Sequence, residues 1–177
     1  GVFNNTAIPN PIYTPGSTDI ANGGVNLIFT SFGSGTCNGI SDSDTSHLTI
    51  VQSPSGNAGP DQLICEGSTV PLTGSWAQNF QTLVWTSSGT GTFNNPSNIH
   101  PVYVPSLADI NAGNVTLTLN INPNAPCSLV SDQITVNIAK TPLVNISISS
   151  DTICASGAYN LTATASDYST LLWTTSG

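Results

Sequence analysis

The sequence predicts an all-β protein, built as tandem β-sandwich units that repeat every 88–90 residues. Three observations predict it. The chain matches itself at a fixed offset, short alternating runs follow one another at regular spacing, and the composition is that of strands and turns.

The repeat comes first, because a missed period mis-assigns the whole fold. Gly1-Val2-Phe3-Asn4-Asn5 returns as Gly91-Thr92-Phe93-Asn94-Asn95, 90 residues later. At the same offset Pro11, Tyr13 and Pro15 match Pro101, Tyr103 and Pro105, and Asp19-Ile20 matches Asp109-Ile110. Gly23, Val25 and Leu27 match Gly113, Val115 and Leu117; Cys37 matches Cys127, and Ser41-Asp42 matches Ser131-Asp132. The other half of the unit repeats as well, Asp61 to Cys65 against Asp151 to Cys154, and Leu83-Val84-Trp85-Thr86 against Leu171-Leu172-Trp173-Thr174. The phase follows directly. Residues 1–55 are the C-terminal half of one unit, 56–141 a complete unit, and 142–177 the N-terminal half of the next. The chain is expected to be a window onto a longer array. Half a sandwich leaves an apolar face bare, so each half unit needs a neighbouring repeat, from the same chain or an identical one.

Strands are expected at 60–64, 68–73, 81–87, 100–104, 115–122 and 133–138, a spacing that signals an immunoglobulin-like β-sandwich. Val115 to Ile121 and Ile134 to Ile138 alternate with period two, apolar on one face and Thr or Asn on the other. Gly, Pro and Asn fill the gaps, as in Ser88-Gly89-Thr90-Gly91. Pro71 falls inside an expected strand and marks an edge or a bulge. Trp85 and Trp173 sit in matching apolar runs and read as core residues between two sheets. Ser17 to Ile20 and Ser106 to Ile110 read as one-turn helical corners, whose carboxylate or hydroxyl caps backbone N–H groups.

Charged residues make up only 6% of the chain, Lys140 is the single cation, and the net charge is −8. Phosphate recognition needs Lys/Arg clusters, so nucleic acid and anionic membrane surfaces are excluded as partners. No apolar run of about 18 residues exists to insert in a membrane as a helix. Four cysteines in such a chain fit an exported, oxidising setting.

These residues resemble a known family. Asn57-Ala-Gly-Pro-Asp-Gln-Leu-Ile-Cys-Glu-Gly-Ser-Thr-Val, Trp85-Thr-Ser-Ser-Gly-Thr-Gly-Thr-Phe-Asn-Asn-Pro, Pro101-Val-Tyr-Val-Pro and Val115-Thr-Leu-Thr-Leu are similar to the Ig-like or PKD-like tandem repeats of giant Bacteroidota surface adhesins. The gliding-motility adhesin SprB carries repeats of this type. The resemblance covers nearly the whole chain and implies type IX secretion, display on the bacterial cell surface, and adhesion or gliding motility. The third unit departs from the pattern, since Asn145-Ile-Ser-Ile-Ser lacks the Gly-Pro-Asp opening.

Two cysteine pairings compete. One joins Cys65 to Cys127 within the complete unit and leaves Cys37 and Cys154 to absent halves. The other joins Cys37 to Cys65 and Cys127 to Cys154 across unit boundaries. The first is favoured here, although spacing alone fixes no connectivity. A zinc site is not expected, because the histidines lie in no ligand spacing with the cysteines.

No nucleophile elbow, phosphate loop or His-Glu-x-x-His motif is present, and the expectation is a chain that is not an enzyme and needs no cofactor. His47 and His100 read as ordinary surface or edge residues. Asp42 and Asp44 are the candidate calcium ligands, but Asp44 is replaced by Ile134 in the next unit, which favours a solvated loop. Glu66 reads as a turn residue. Trp76 and Phe80 are candidate glycan contacts; Trp76 has no aromatic counterpart in the third unit, where Ala165 falls. Asp151-Thr152-Ile153 resembles the short O-glycosylation signal of Bacteroidota, with Thr152 as acceptor. Asn4, Asn114, Asn145 and Asn160 fit the N-x-Ser/Thr pattern, which means little in a bacterial protein. The leading expectation of function is a stalk in a secreted adhesin or fibre. A glycan- or surface-binding module and an accessory domain of a secreted enzyme are the alternatives.

Overall fold

A computed structural model describes residues 1–147, 152–155 and 157–176. The chain is all-β; the described residues also include two short α-helices and a single 3-10 turn at Gly35–Cys37. The first half unit contains β1 (Val2–Phe3), β2 (Tyr13–Thr14), α1 (Ser17–Ala21), β3 (Gly24–Phe32) and β4 (Ser41–Thr49). The complete unit holds β5 (Ser55–Asn57), β6 (Gln62–Cys65), β7 (Val70–Pro71), β8 (Trp76–Gln78), β9 (Phe80–Ser87), β10 (Thr92–Phe93), β11 (Val102–Val104), α2 (Leu107–Ala112), β12 (Asn114–Pro123) and β13 (Val130–Ala139). β14 (Leu143–Ile146) and β15 (Ala163–Ser166) follow in the last half unit.

All six expected strands are present, with shifted ends. β5, β8 and β10 were not expected, because two or three residues carry no period to read. β5 straddles the boundary placed between residues 55 and 56, and by pairing with β8 it belongs to the complete unit. Pro71 lies on β7, which ends its sheet, so its missing N–H breaks no ladder.

The duplication reappears in three dimensions. β1 pairs with β2 as β10 pairs with β11, and the Phe3–Tyr13 and Phe93–Tyr103 rings both lie 4.9 Å apart. β14 pairs with β15 as β5 pairs with β8. Asn79 and Asp167, at matching places, hold positive φ angles of 57° and 55°. Pairing also corrects one correspondence. Trp76 stands opposite Asn57 and Thr164 opposite Asn145, so Thr164, not Ala165, occupies the Trp76 position.

In the complete unit a four-stranded sheet runs in the order β6-β13-β12-β9, and a three-stranded sheet in the order β10-β11-β7. β12 is antiparallel to both β13 and β9, whereas β6 joins β13 in parallel. One buried cluster joins the two sheets, with Leu117, Leu119, Ile121, Ile134, Val136 and Trp85 from the four-stranded sheet, Val70 and Tyr103 from the three-stranded one, and Leu72 just after β7. Every second residue of β12 and β13 faces inward, the alternation visible in the sequence. Each fully buried Leu, Ile or Val contributes about 1.5–3 kcal/mol.

The half units carry parts of the same pattern: β1 and β2 repeat two strands of the three-stranded sheet, and β3 and β4 two strands of the four-stranded one. β3 and β4 form a two-stranded hairpin, and Phe29 is 59% exposed where its counterpart Leu119 is fully buried. Trp173 is 55% exposed, although its counterpart Trp85 lies in the core. The expectation that both tryptophans are core residues therefore holds for Trp85 alone. The reason is tertiary: Trp173 has no facing sheet in this chain.

Candidate functional site

Three places collect the chemistry: a carboxylate clamp repeated in two units, scattered polar candidates, and the two open apolar faces.

Ser106 caps α2 and its hydroxyl accepts from the Asp109 N–H, while the Asp109 carboxylate accepts from the Ser106 N–H, a reciprocal box that starts the helix. Gly113, with φ of 79°, ends it in the left-handed region. The Asp109 carboxylate accepts from the Thr90 and Gly91 N–H groups at 3.0 Å, the Ser106 N–H at 2.8 Å and the Tyr103 hydroxyl at 2.8 Å. Burial pushes this carboxyl up, but the hydrogen bonds from Ser106, Tyr103 and Thr90 together prevail and hold it below its ordinary value. A Cβ at Gly89 would overlap the Asp109 carboxylate, and one at Gly91 the Tyr103 hydroxyl, so both positions need glycine.

The first half unit rebuilds the clamp. Asp19 accepts from the Gly1 amine at 2.6 Å, the Gly16 N–H at 2.8 Å and the Tyr13 hydroxyl at 2.7 Å. The Gly1 amine, then the Gly16 N–H and Tyr13, lower this carboxyl to about 2. The capping role read from the sequence is what both corners perform. In the complete unit the carboxylate ties a bend, a strand and a helix together.

Asp42 and Asp44 lie on β4, two residues apart on one face, and each accepts only from the next residue's N–H, Ser43 at 3.1 Å and Thr45 at 2.8 Å. They sit in a strand and not in the solvated loop that was expected. Among the described residues no group of three His, Cys, Asp or Glu side chains is placed to hold a metal ion. Asp132, the counterpart of Asp42, instead accepts from the Ala58 N–H at 2.9 Å and so fastens β5 to β13. The signal in the sequence was the matched Asp42/Asp132 pair, kept in both units while Asp44 gives way to Ile134.

Trp76 and Phe80 flank Asn79, and Trp76 is 48% exposed. His47 is an exposed strand residue whose Nδ1 lies 2.8 Å from Asn26 Oδ1, and His100 Nε2 lies 2.8 Å from the Ser75 carbonyl oxygen. Glu66 occupies the turn after β6 and accepts from the Thr141 N–H and hydroxyl, both at 3.3 Å. For the Asp151-Thr152-Ile153 motif, Asp151 lies outside the described residues.

The favoured Cys65–Cys127 bond is overturned. All four cysteines are free thiols. Cys65 pairs with Ala139 at one end of β13, whereas Cys127 precedes Val130 at the other. The strand between is 10 residues long, roughly 30 Å, against the roughly 7 Å that a disulfide spans between Cα atoms. Cys127 Sγ lies 3.7 Å from the Val51 carbonyl oxygen, against the segment that enters the unit.

The open faces complete the inventory. Phe3, Tyr13, Leu27 and Phe29, with Asp44 and Ser46, line a groove of about 410 Å³ on the first half unit. On the last half unit Ile146, Leu161, Leu171 and Trp173 line one of about 650 Å³. No family model and no curated protein matches this chain.

Proposed function

We propose that the chain is a stretch of tandem immunoglobulin-like sandwiches acting as the stalk of a secreted or cell-surface adhesin or fibre. The observation that carries this reading is the duplication. The same strand order, helical corner and carboxylate clamp recur 90 residues apart, around one unit with its own core. Repetition of a self-supporting unit extends reach, because each added copy lengthens the chain without changing its surface. An exterior of Asn, Ser and Thr with a single cation suits exposure to trypsin-like proteases. Bacterial surface display, type IX secretion and a role in gliding motility rest on the repeat resemblance and are part of the same proposal.

Pulling on single molecules tests the stalk. A load-bearing unit gives one unfolding event that lengthens the chain by roughly 300 Å, the extended length of about 90 residues. Extension without a resolved force peak would remove the mechanical role. Trp76, 48% exposed, favours a second reading, a glycan-binding module, because exposed aromatic rings stack on sugars. Glycan-array binding that disappears in Trp76→Ala would put that reading first.

A further inference from the structure

We infer that the parallel pair of β6 and β13 is the mechanical clamp of the complete unit, resisting a pull along the chain by shear. The inference deepens the stalk reading and rests on it.

In chain order β6 is the first strand of the four-stranded sheet and β13 the last. Tension along the chain therefore enters that sheet through β6 and leaves it through β13. From the N-terminal side it draws β6 back past Gln62, and from the C-terminal side it draws β13 forward past Ala139. Because the two strands are parallel, these pulls point in opposite directions along one axis. The strands must slide past each other, and all their cross-strand bonds are loaded at once. In an antiparallel pair the two pulls would meet at one end and open the bonds one by one.

The ladder sets Gln62 beside Val136, Leu63 beside Asn137, Ile64 beside Ile138 and Cys65 beside Ala139. The Glu66 N–H donates to the Ala139 carbonyl at 2.8 Å. Alternate residues of a strand point their N–H groups to the same side, so Gln62 and Ile64 also donate toward β13, while Leu63 and Cys65 face the open edge of the sheet. Two carboxylates extend the ladder beyond its ends. Asp61 accepts from the Thr135 N–H at 2.8 Å, ahead of the first pair. Glu66 accepts from the Thr141 N–H and hydroxyl, both at 3.3 Å, past the last pair. Each of these bonds joins the two segments that tension drives apart. Upstream, β8 holds β5 and Asp132 holds the Ala58 N–H, so load passes that short attachment before it reaches β6.

The core plays a different part. Trp85 and Leu119 lie on β9 and β12, and neither strand receives the pull directly. Packing between the sheets sets how stable the unit is at rest, whereas the β6–β13 ladder sets how long it lasts under load. The two are separable, because an unfolding rate depends on which native bonds the transition state has already broken.

The test pulls the complete unit in two directions. In the first, load is applied through the two termini of the full chain. In the second, handles join the Cys65 thiol and the Lys140 amine, in a chain with Cys37→Ser, Cys127→Ser and Cys154→Ser and a blocked N-terminal amine. Cys65 and Lys140 lie at the same end of the ladder, so this pull opens it bond by bond. The expected result is a resolved force peak under terminal load and its loss in the second direction. Combining Asp61→Ala with Glu66→Ala is expected to shorten the lifetime under terminal load at least about fivefold, the effect of one hydrogen bond broken in the transition state. Leu119→Ala is expected to shorten that lifetime less, although it lowers resistance to urea more. The comparison of directions leaves the ladder unchanged and so stands whether or not the variants fold. Equal forces in the two directions, or a shorter lifetime for Leu119→Ala than for the double variant, would overturn the clamp and leave the stalk reading in place. Extension under terminal load with no peak at all would remove both.

Discussion

Asp109 organises its corner because one buried carboxylate satisfies three backbone N–H groups and accepts from the Tyr103 hydroxyl, which also meets the Ser87 hydroxyl. Asp109→Ala is expected to cost the complete unit about 3 kcal/mol, read from urea unfolding, because it strands those donors. The pH dependence has a definite sign. The folded carboxyl is held below its ordinary value, so its stabilisation is fully present above the unfolded value of about 3.9 and is lost as pH falls through the folded one. Asp109→Asn should therefore unfold with a flatter acid limb than the wild type below about pH 4. Gly89→Ala should destabilise by about 1–3 kcal/mol, since its methyl group overlaps the same carboxylate. Equal stability of Gly89→Ala and wild type would mean that the turn is looser than described. Of these residues the sequence showed the capping acid and its repeat, but not that Gly89 and Gly91 serve it, since that approach is made across 18 residues or more.

At the scale of elements, β12 and β3 have nearly the same alternation and opposite surroundings. Leu119→Ala removes a fully buried side chain and is expected to cost about 2–5 kcal/mol. Phe29→Ala at the matching position is expected to change the stability of the dilute chain by less than about 0.5 kcal/mol, as for other exposed sites. Chemical denaturation of both variants checks the contrast, and a large loss for Phe29→Ala at low concentration would mean that the half unit is covered within the chain. Period-two alternation told which residues of each strand share a face, because Cβ direction alternates along any strand. It was silent on whether that face meets another sheet. The shortest strands, β5, β8 and β10, escaped for a related reason: they exist through their partners.

Over the whole molecule, order should be graded. Hydrogen exchange in the dilute chain is expected to protect β9, β12 and β13 most strongly, because they lie together in the four-stranded sheet over the core. The β3–β4 hairpin and the β14–β15 pair should exchange faster, each being a two-stranded sheet with its apolar face exposed. Uniform protection along the chain would contradict this gradient. Cys65→Ser and Cys127→Ser should leave the stability of the complete unit unchanged within about 0.5 kcal/mol, under reducing or oxidising conditions, since no bond joins the two thiols.

The sequence by itself determined the all-β class, the period, the inward-facing residues of β12 and β13, and the capping acids of the two corners. Each of these is a local or self-similar property, written in spacing along the chain. Tertiary structure alone decided that β6 joins β13 in parallel and so sets Cys65 and Cys127 at opposite ends of that strand. It alone decided that Trp173 is bare while Trp85 is buried, and that Thr164 holds the place of Trp76. Those outcomes depend on which strand lies beside which, and that choice is made by burial between segments far apart in the chain.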